Sequence, residues 1–267
     1  MKNKIILSLF IGFLTLAFFS CEPIVERETL ENSTNVDGVN LVATQSTQGG
    51  NEITLEMTTP GVNGYWDYNL GKALTNKVTF IYPIPGTSTF TFTGTLGAEF
   101  FEKTIDVTVD QLDHALDQDW YDLVSDNTAE GKTWVFDGTP GDGRNWWYMA
   151  APYNPWELWW NAGGSGDMPP VDAYGSMTFD LDGAANYTYL AEPGGTPEVG
   201  SFVLDVKNQT LDVNGPNILG GGVTPGYDIG NHDGIYQIIS LTEDEMILYV
   251  SDNAWATGWM WHFKPAG

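Results

Sequence analysis

The chain has 267 residues, 42% of them hydrophobic and 13% aromatic but only 17% charged, which is enough apolar material for a folded core and excludes a disordered or coiled-coil chain. Acidic residues outnumber basic ones 35 to 10, for a net charge of −25, so the surface repels phosphate backbones and anionic head groups. Nucleic acid is thereby excluded as a partner and a sulfated or uronic-acid polymer is disfavoured, whereas a neutral ligand is not.

At the N-terminus Lys2 and Lys4 precede a fifteen-residue apolar run, Ile5 to Phe19, broken by Ser8, Gly12 and Thr15. That run is shorter than the ~20 residues of a membrane span and has the length of a secretory signal, predicted here as residues 1–20. Phe18-Phe19-Ser20-Cys21 resembles the lipobox of bacterial lipoproteins, and Cys21 is the only cysteine of the chain. A lone thiol in an exported protein has no internal disulfide partner, so chemistry at the cleavage site, lipidation of Cys21, explains its placement. Residues 21–37 then read as a polar, acidic tether. The acidic stretch behind the cysteine is similar to the signal that sends lipoproteins of glycan-degrading Gram-negative bacteria to the outer membrane and cell surface; contact with membrane would then be through the lipid anchor only.

From residue 38 to 109 the chain reads as short alternating strands: Val39 to Gln45, Glu52 to Thr58, Lys77 to Tyr82, Ser88 to Thr95 and Phe100 to Val109. Phe90-Thr91-Phe92-Thr93 and Ile105-Asp106-Val107-Thr108-Val109 place apolar residues on one face with period two. Pro60-Gly61, Asn63-Gly64 and Pro85-Gly86 supply the expected turns. The segment is predicted to be a small β-sandwich. Trp66-Asp67-Tyr68-Asn69-Leu70-Gly71 and Tyr82-Pro83-Ile84-Pro85-Gly86-Thr87-Ser88-Thr89-Phe90 resemble two signatures of the PKD domain, an immunoglobulin-like module that mostly acts as a spacer. Trp66 is accordingly expected in the core.

Residues 110–127 form the predicted helical linker. Leu112, Leu116, Trp120, Leu123 and Val124 recur at helical spacing over Asp110 to Ser125, and Thr108 with Gln111 forms a candidate capping box. His114 lies on the polar face without a second His at i+4, the reading being solvated surface and not a metal ligand.

Residues 128–267 are again all-β. Strands are predicted at Lys132 to Asp137, Trp146 to Ala151, Gly175 to Asp182, Tyr187 to Ala191, Gly200 to Val206, Tyr236 to Ser240, Glu245 to Ser251 and Gly258 to Phe263. Eight strands with Gly/Pro/Asn turns fit a larger jelly-roll-type β-sandwich, with an up-and-down barrel as the alternative.

Ten of the eleven tryptophans fall between Trp120 and Trp261. Each buries ~150–250 Å² when packed, more than one core of this size absorbs, so some are expected on the surface. Trp134 with Phe136, and Trp259 and Trp261 with Phe263, share faces and read as core. Trp146-Trp147 and Trp159-Trp160 are adjacent pairs, of which one member each must face away in an extended strand. Trp156 and Trp255 sit in polar, turn-rich contexts and are expected on loops. Exposed indoles flanked by Asn, Asp and Glu suit neutral sugars, because the C–H face of a pyranose stacks on an indole while amides and carboxylates reach the ring hydroxyls. The candidate site is therefore Trp147, Tyr153, Trp156, Glu157, Trp159, Trp160, Asn253 and Trp255.

The second half also resembles the C-terminal domains of PKD-containing surface glycan-binding lipoproteins of bacterial polysaccharide-utilisation systems. The resemblance rests on Gly131-Lys132-Thr133-Trp134-Val135-Phe136-Asp137, Gly141-Asp142-Gly143, the stretch Trp146 to Pro152, and Met177-Thr178-Phe179-Asp180-Leu181-Asp182-Gly183. It implies capture of a neutral polysaccharide, most often a β-glucan such as a laminarin-type β-1,3-glucan, for an outer-membrane glycan transporter complex, without catalysis or a cofactor. Two alternatives stand beside it. A jelly-roll glycoside hydrolase needs two carboxyls ~5–5.5 Å apart; Glu243-Asp244-Glu245 alternates faces, while Asp180 and Asp182 share one but serve equally as a turn cap or a structural Ca²⁺ site. A barrel carrying a small apolar ligand would be marked by one deep apolar pocket in place of a shallow aromatic groove.

Overall fold

In the computed structural model the described residues are 36–97, 99–138, 147–162, 169–221, 223–224, 227–228, 233–252 and 257–267, with the backbone alone described at 160–162, 223–224, 227–228 and 252. Cys21, Asn253 and Trp255 lie outside them. No described helix is long and apolar enough to cross a membrane.

After a short 3-10 turn at Val36–Gly38 come β1 (Leu41–Gln45), β2 (Glu52–Met57), β3 (Asn63–Asp67), β4 (Lys72–Ala73), β5 (Lys77–Ile81), β6 (Gly86–Leu96) and β7 (Glu99–Val109). They pair antiparallel as two sheets, β1-β2-β5 and β4-β3-β6-β7. Period two sets the inner faces: Ile53, Leu55 and Met57 of β2 are buried while Glu52, Thr54 and Glu56 between them are not. Across the gap Phe80 of β5 meets Phe90 of β6 edge to face at 5.7 Å. Trp66 is fully buried, edge-on to Phe92 at 5.2 Å, with its indole N–H donating to the Asn76 carbonyl at 3.1 Å. Asn63-Gly64 is not a turn but the start of β3. A Cβ on Gly64 would stand 2.2 Å from the Thr93 carbonyl oxygen, so glycine is needed there for close strand approach.

The helix is shorter than its periodicity predicts: α1 spans Gln118–Val124 and is capped by Asp117, whose carboxylate accepts from the Asp119 N–H, in place of the Thr108–Gln111 box. Residues 110–114 instead tie the linker to the sandwich. The Asp110 N–H donates to Gly49 at 2.8 Å, Asn51 exchanges two hydrogen bonds with the His114 backbone, and Asp113 accepts from the Thr47 hydroxyl. His114 packs into this junction, with Nδ1 3.1 Å from Asp113 and Nε2 3.7 Å from Glu52.

The second half contains β8 (Lys132–Phe136), β9 (Trp147–Ala151), β10 (Asn154–Ala162), β11 (Ser176–Asp180), β12 (Asn186–Leu190), β13 (Glu198–Asp205), β14 (Thr210–Asn214), β15 (Val223–Thr224), β16 (Tyr227–Asp228), β17 (Ile235–Leu241), β18 (Met246–Asp252) and β19 (Thr257–Pro265). Among the described residues β15 and β16 pair only with each other. The other strands are antiparallel neighbours in the order β10-β9-β19-β18-β17-β14-β13-β12-β11-β8, and β8 returns to β19 through Phe136↔Phe263 and Trp134↔Pro265. Eight strands therefore close into a barrel-like ring in which most neighbours are successive in sequence. The closed ring agrees with the barrel alternative, and the physical reason is the β8–β19 pairing: two packed sheets would leave those edges apart.

The ring's interior is filled by side chains. Trp134, Trp261, Tyr187, Tyr236, Phe179 and Phe202 are all almost fully buried, which makes this a packed core of the kind small barrels require. α1 closes the end from which β8 starts: Trp120, Leu123 and Val124 are buried, the Trp134 indole donates to the Leu123 carbonyl at 3.0 Å, and Lys132 Nζ donates to Asp122 O at 2.6 Å. At the opposite end the Asp172 carboxylate accepts from the Tyr189 hydroxyl at 2.8 Å and from the Gly220 N–H at 3.0 Å. Burial pushes its pKa up while those two donors oppose the shift. β8 and β9 lie end to end along one edge of β19, so the β9–β10 hairpin continues the sheet beyond the ring, with β10 its edge strand among the described residues.

Candidate functional site

Among the described residues of the second half, the β9–β10 hairpin carries three of the four exposed aromatic side chains, Tyr153, Trp156 and Trp159, the fourth being Tyr174. Its two strands face each other at Asn154↔Ala151, Leu158↔Ala150 and Trp160↔Met149, with register shifts between each step. β10 therefore accommodates Pro155-Trp156-Glu157, and then Trp159, as extra residues without a partner on β9. Bulges of this kind bend an edge strand and re-aim its side chains, and a proline is tolerated only on such an edge. Trp156 is 71% exposed and Trp159 48%. Trp156 thus belongs to a bulged strand and not to a loop; the exposure comes from the register shift, which the parity of a regular strand does not anticipate.

Glu157 organises the ribbon. Its Oε1 accepts the Trp159 indole N–H at 3.2 Å and its Oε2 lies 3.5 Å from the Asn154 amide nitrogen, while Asn154 Oδ1 accepts the Trp156 N–H at 3.3 Å. A carboxylate gripping the polar edge of Trp159 leaves the indole faces for a ligand.

The turn of the hairpin is the pair Pro152-Tyr153. Proline holds φ near −65°, and Tyr153 follows at φ +62°, the left-handed position that a glycine normally takes in a type II turn. The ring is 75% exposed. The turn is pinned by Tyr249 of β18, whose hydroxyl donates to the Ala151 carbonyl at 2.8 Å; burial raises the pKa of that phenol. Tyr249 belongs to a small outer-face cluster with Ile247, Met260 and Ala150, distinct from the main core.

Beside the turn, on the outer wall of β14, β17 and β18, lies an open groove of about 490 Å³ lined by Tyr153, Thr210, Asp233, Ile235, Gln237 and Tyr249 among others. Apart from Tyr153, these positions escape sequence reading because they are brought together from separate strands and the turns between them. The alternation in Thr210-Leu211-Asp212-Val213-Asn214 is the one signal that marks β14 as a strand.

Trp147 is a correction: it is 1% exposed, packs against Trp259 at 5.1 Å between ring centroids with the ring planes tilted by 55°, and belongs to the core. Of its adjacent pair, Trp147 takes the inner face because it sits opposite Trp261 in the β9–β19 ladder. Trp160 lies opposite Met149, its side chain being outside the described residues. Tyr153, Trp156, Glu157 and Trp159 are therefore the predicted site residues that the hairpin brings together. Asp180, read as a turn cap or a cation ligand, accepts from the Asp182 N–H and the Asn186 amide, and no group of three metal-ligating side chains forms among the described residues.

Comparison with family models and with curated proteins finds no match to this chain.

Proposed function

We propose that the protein is a non-catalytic, surface-anchored binder of a neutral polysaccharide, with the β9–β10 ribbon as its platform. The observation that carries this reading is the set Tyr153, Trp156 and Trp159: three exposed aromatic side chains on one edge ribbon, two of them held in register bulges and one indole anchored through its N–H by Glu157. Stacking one sugar face on an indole, at ~25 cal/mol per Å² over ~80 Å², contributes ~2 kcal/mol, so three such faces support micromolar to millimolar binding of a chain. The excess of acidic residues turns away anionic polymers.

The packed barrel supports this over carriage of a small apolar ligand, since the described interior positions are occupied by aromatic side chains. The sandwich of residues 38–109, with β1-β2-β5 against β4-β3-β6-β7 and Trp66 at its centre, supports the PKD-like, immunoglobulin-like reading and a spacer role. Together with a lipid at Cys21 and the acidic tether, it would hold the ribbon off the outer membrane, where a captured β-glucan passes to a transporter complex. Affinity electrophoresis against laminarin, mixed-linkage β-glucan, mannan and α-glucan tests the reading. Retardation by at least one of them, lost in Trp156→Ala, is the expected result, and migration unaffected by every polymer refutes it.

A further inference from the structure

The groove on the outer wall of the barrel is contiguous with the ribbon, because Tyr153 belongs to both. Its volume, about 490 Å³, falls within the ~300–1,000 Å³ of ordinary ligand sites. Its walls mix two kinds of surface. Tyr249, almost fully buried, and half-exposed Ile235 give apolar area. Thr210, Asp233 and Gln237 give a hydroxyl, a carboxylate and an amide, and none of the three side chains makes a hydrogen bond among the described residues. On the same outer face, two residues on from Thr210, Asp212 keeps one carboxylate oxygen shielded from solvent with no hydrogen-bond partner among the described residues. Unused donors and acceptors around an apolar floor match a ligand with many hydroxyls and an apolar ring face. Among the described residues no Lys or Arg lines the groove, so none of them would balance a sulfate, phosphate or uronate.

The backbone adds a second, independent observation. Tyr153 is held at φ +62°, a conformation that costs a non-glycine residue free energy and that clusters at ligand sites. A glycine would relax the turn, yet an exposed aromatic ring stands at the rim of the groove.

We propose that this groove is a second carbohydrate contact, which takes the hydroxyl edges of sugar units beyond those stacked on Trp156 and Trp159, with Tyr153 as the bridge between the two. The inference rests on the reading of the ribbon as a glycan platform. It makes the protein a reader of chain length: a short oligosaccharide occupies the ribbon alone, and a longer one gains the groove.

Calorimetric titration with ladders of neutral oligosaccharides (β-1,3-, β-1,4- and mixed-linkage gluco-oligosaccharides, and manno-oligosaccharides) tests this on the whole protein. With the ladder that binds, the wild type should gain affinity with length past the shortest binder. The doubly substituted Thr210→Val, Gln237→Ala protein, melting as the wild type does, should bind short members normally and lose about ten-fold on long ones, as expected for two neutral hydrogen bonds. Trp156→Ala should weaken every length. If the double variant follows the wild-type ladder throughout while Trp156→Ala still weakens it, the groove is no contact and the ribbon reading stands. If no ladder binds the wild type, the ribbon reading fails and the groove inference falls with it.

Discussion

The Tyr249 ring lies across Gly258, two strands from the hairpin turn it holds. A Cβ on Gly258 would stand 2.4 Å from the Tyr249 hydroxyl oxygen, and that hydroxyl reaches over β19 to the Ala151 carbonyl at the end of β9. A glycine on the central strand is thus the condition for the hydrogen bond that seats the aromatic ribbon. Gly258→Ala should displace Tyr249 and lower stability by ~1–3 kcal/mol, as overpacking does, and should weaken glycan binding although residue 258 is buried. Tyr249→Phe keeps the packing and loses the bond, for ~1–2 kcal/mol. Melting curves and affinity electrophoresis on the two variants check both.

Trp156→Ala and Trp159→Ala should reduce glycan affinity by about ten-fold or more with little change in melting temperature, since neither removal leaves a buried cavity. Trp147→Ala and Trp261→Ala should instead cost ~3–5 kcal/mol of stability, because both indoles are fully enclosed. Unfolding by denaturant alongside polysaccharide binding separates the two groups.

Tyr153→Gly distinguishes a ligand role from a structural one. Glycine accepts φ +62° freely, so the substitution should leave the melting temperature unchanged or raise it, by up to ~1 kcal/mol of relieved strain offset by unfolded-chain entropy. Binding should fall because the exposed ring is gone. A drop in stability with unchanged affinity would make Tyr153 a purely structural residue.

Asp113 couples the sandwich to the linker in a pH-dependent way. Hydrogen bonds from Thr47 and His114, and from the Asn51 N–H, hold its carboxyl down to about 2. An unfolded aspartate titrates near ~3.9, so the native state binds fewer protons between the two values. The contribution is therefore complete above pH 4 and is lost as pH falls through 2. Asp113→Asn should flatten the decline in melting temperature between pH 4 and pH 2 relative to the wild type, as scanning calorimetry at successive pH values would record.

Cys21 should carry the lipid of the mature protein. Metabolic labelling with palmitate is expected to mark the wild type and not Cys21→Ala, and undiminished label in the variant would contradict the lipoprotein reading.

Much of the fold was legible in the residues because burial follows period two. Parity places Phe90 and Phe92, Trp134 and Phe136, and Trp259, Trp261 and Phe263 each on an inner face, and each is buried. The misreadings occur where a local signal carried two meanings. Asn63-Gly64 has turn chemistry, yet Gly64 is there for the approach of Thr93. The helical spacing of 110–125 continues past the true helix because residues 110–114 bond to Gly49, Thr47 and Asn51, some sixty positions earlier. Trp147 and its neighbour were indistinguishable until Trp261 stood opposite one of them.

By itself the sequence determined an all-β chain with an acidic surface, a helical segment between two β regions, and more tryptophan than one core can hold. Those properties are sums or periods, carried by each residue wherever its neighbours are. Closure of the ring, the inward turn of Trp147 and the bulges that expose Trp156 and Trp159 were decided by tertiary structure alone. Each depends on which strand lies beside which: β8 meets β19 across 127 positions, from Phe136 to Phe263, and β10 slips against β9. The groove under Tyr153 is the extreme case, assembled from β14, β17, β18 and a hairpin turn, because a concave surface exists only once separate strands have been set side by side.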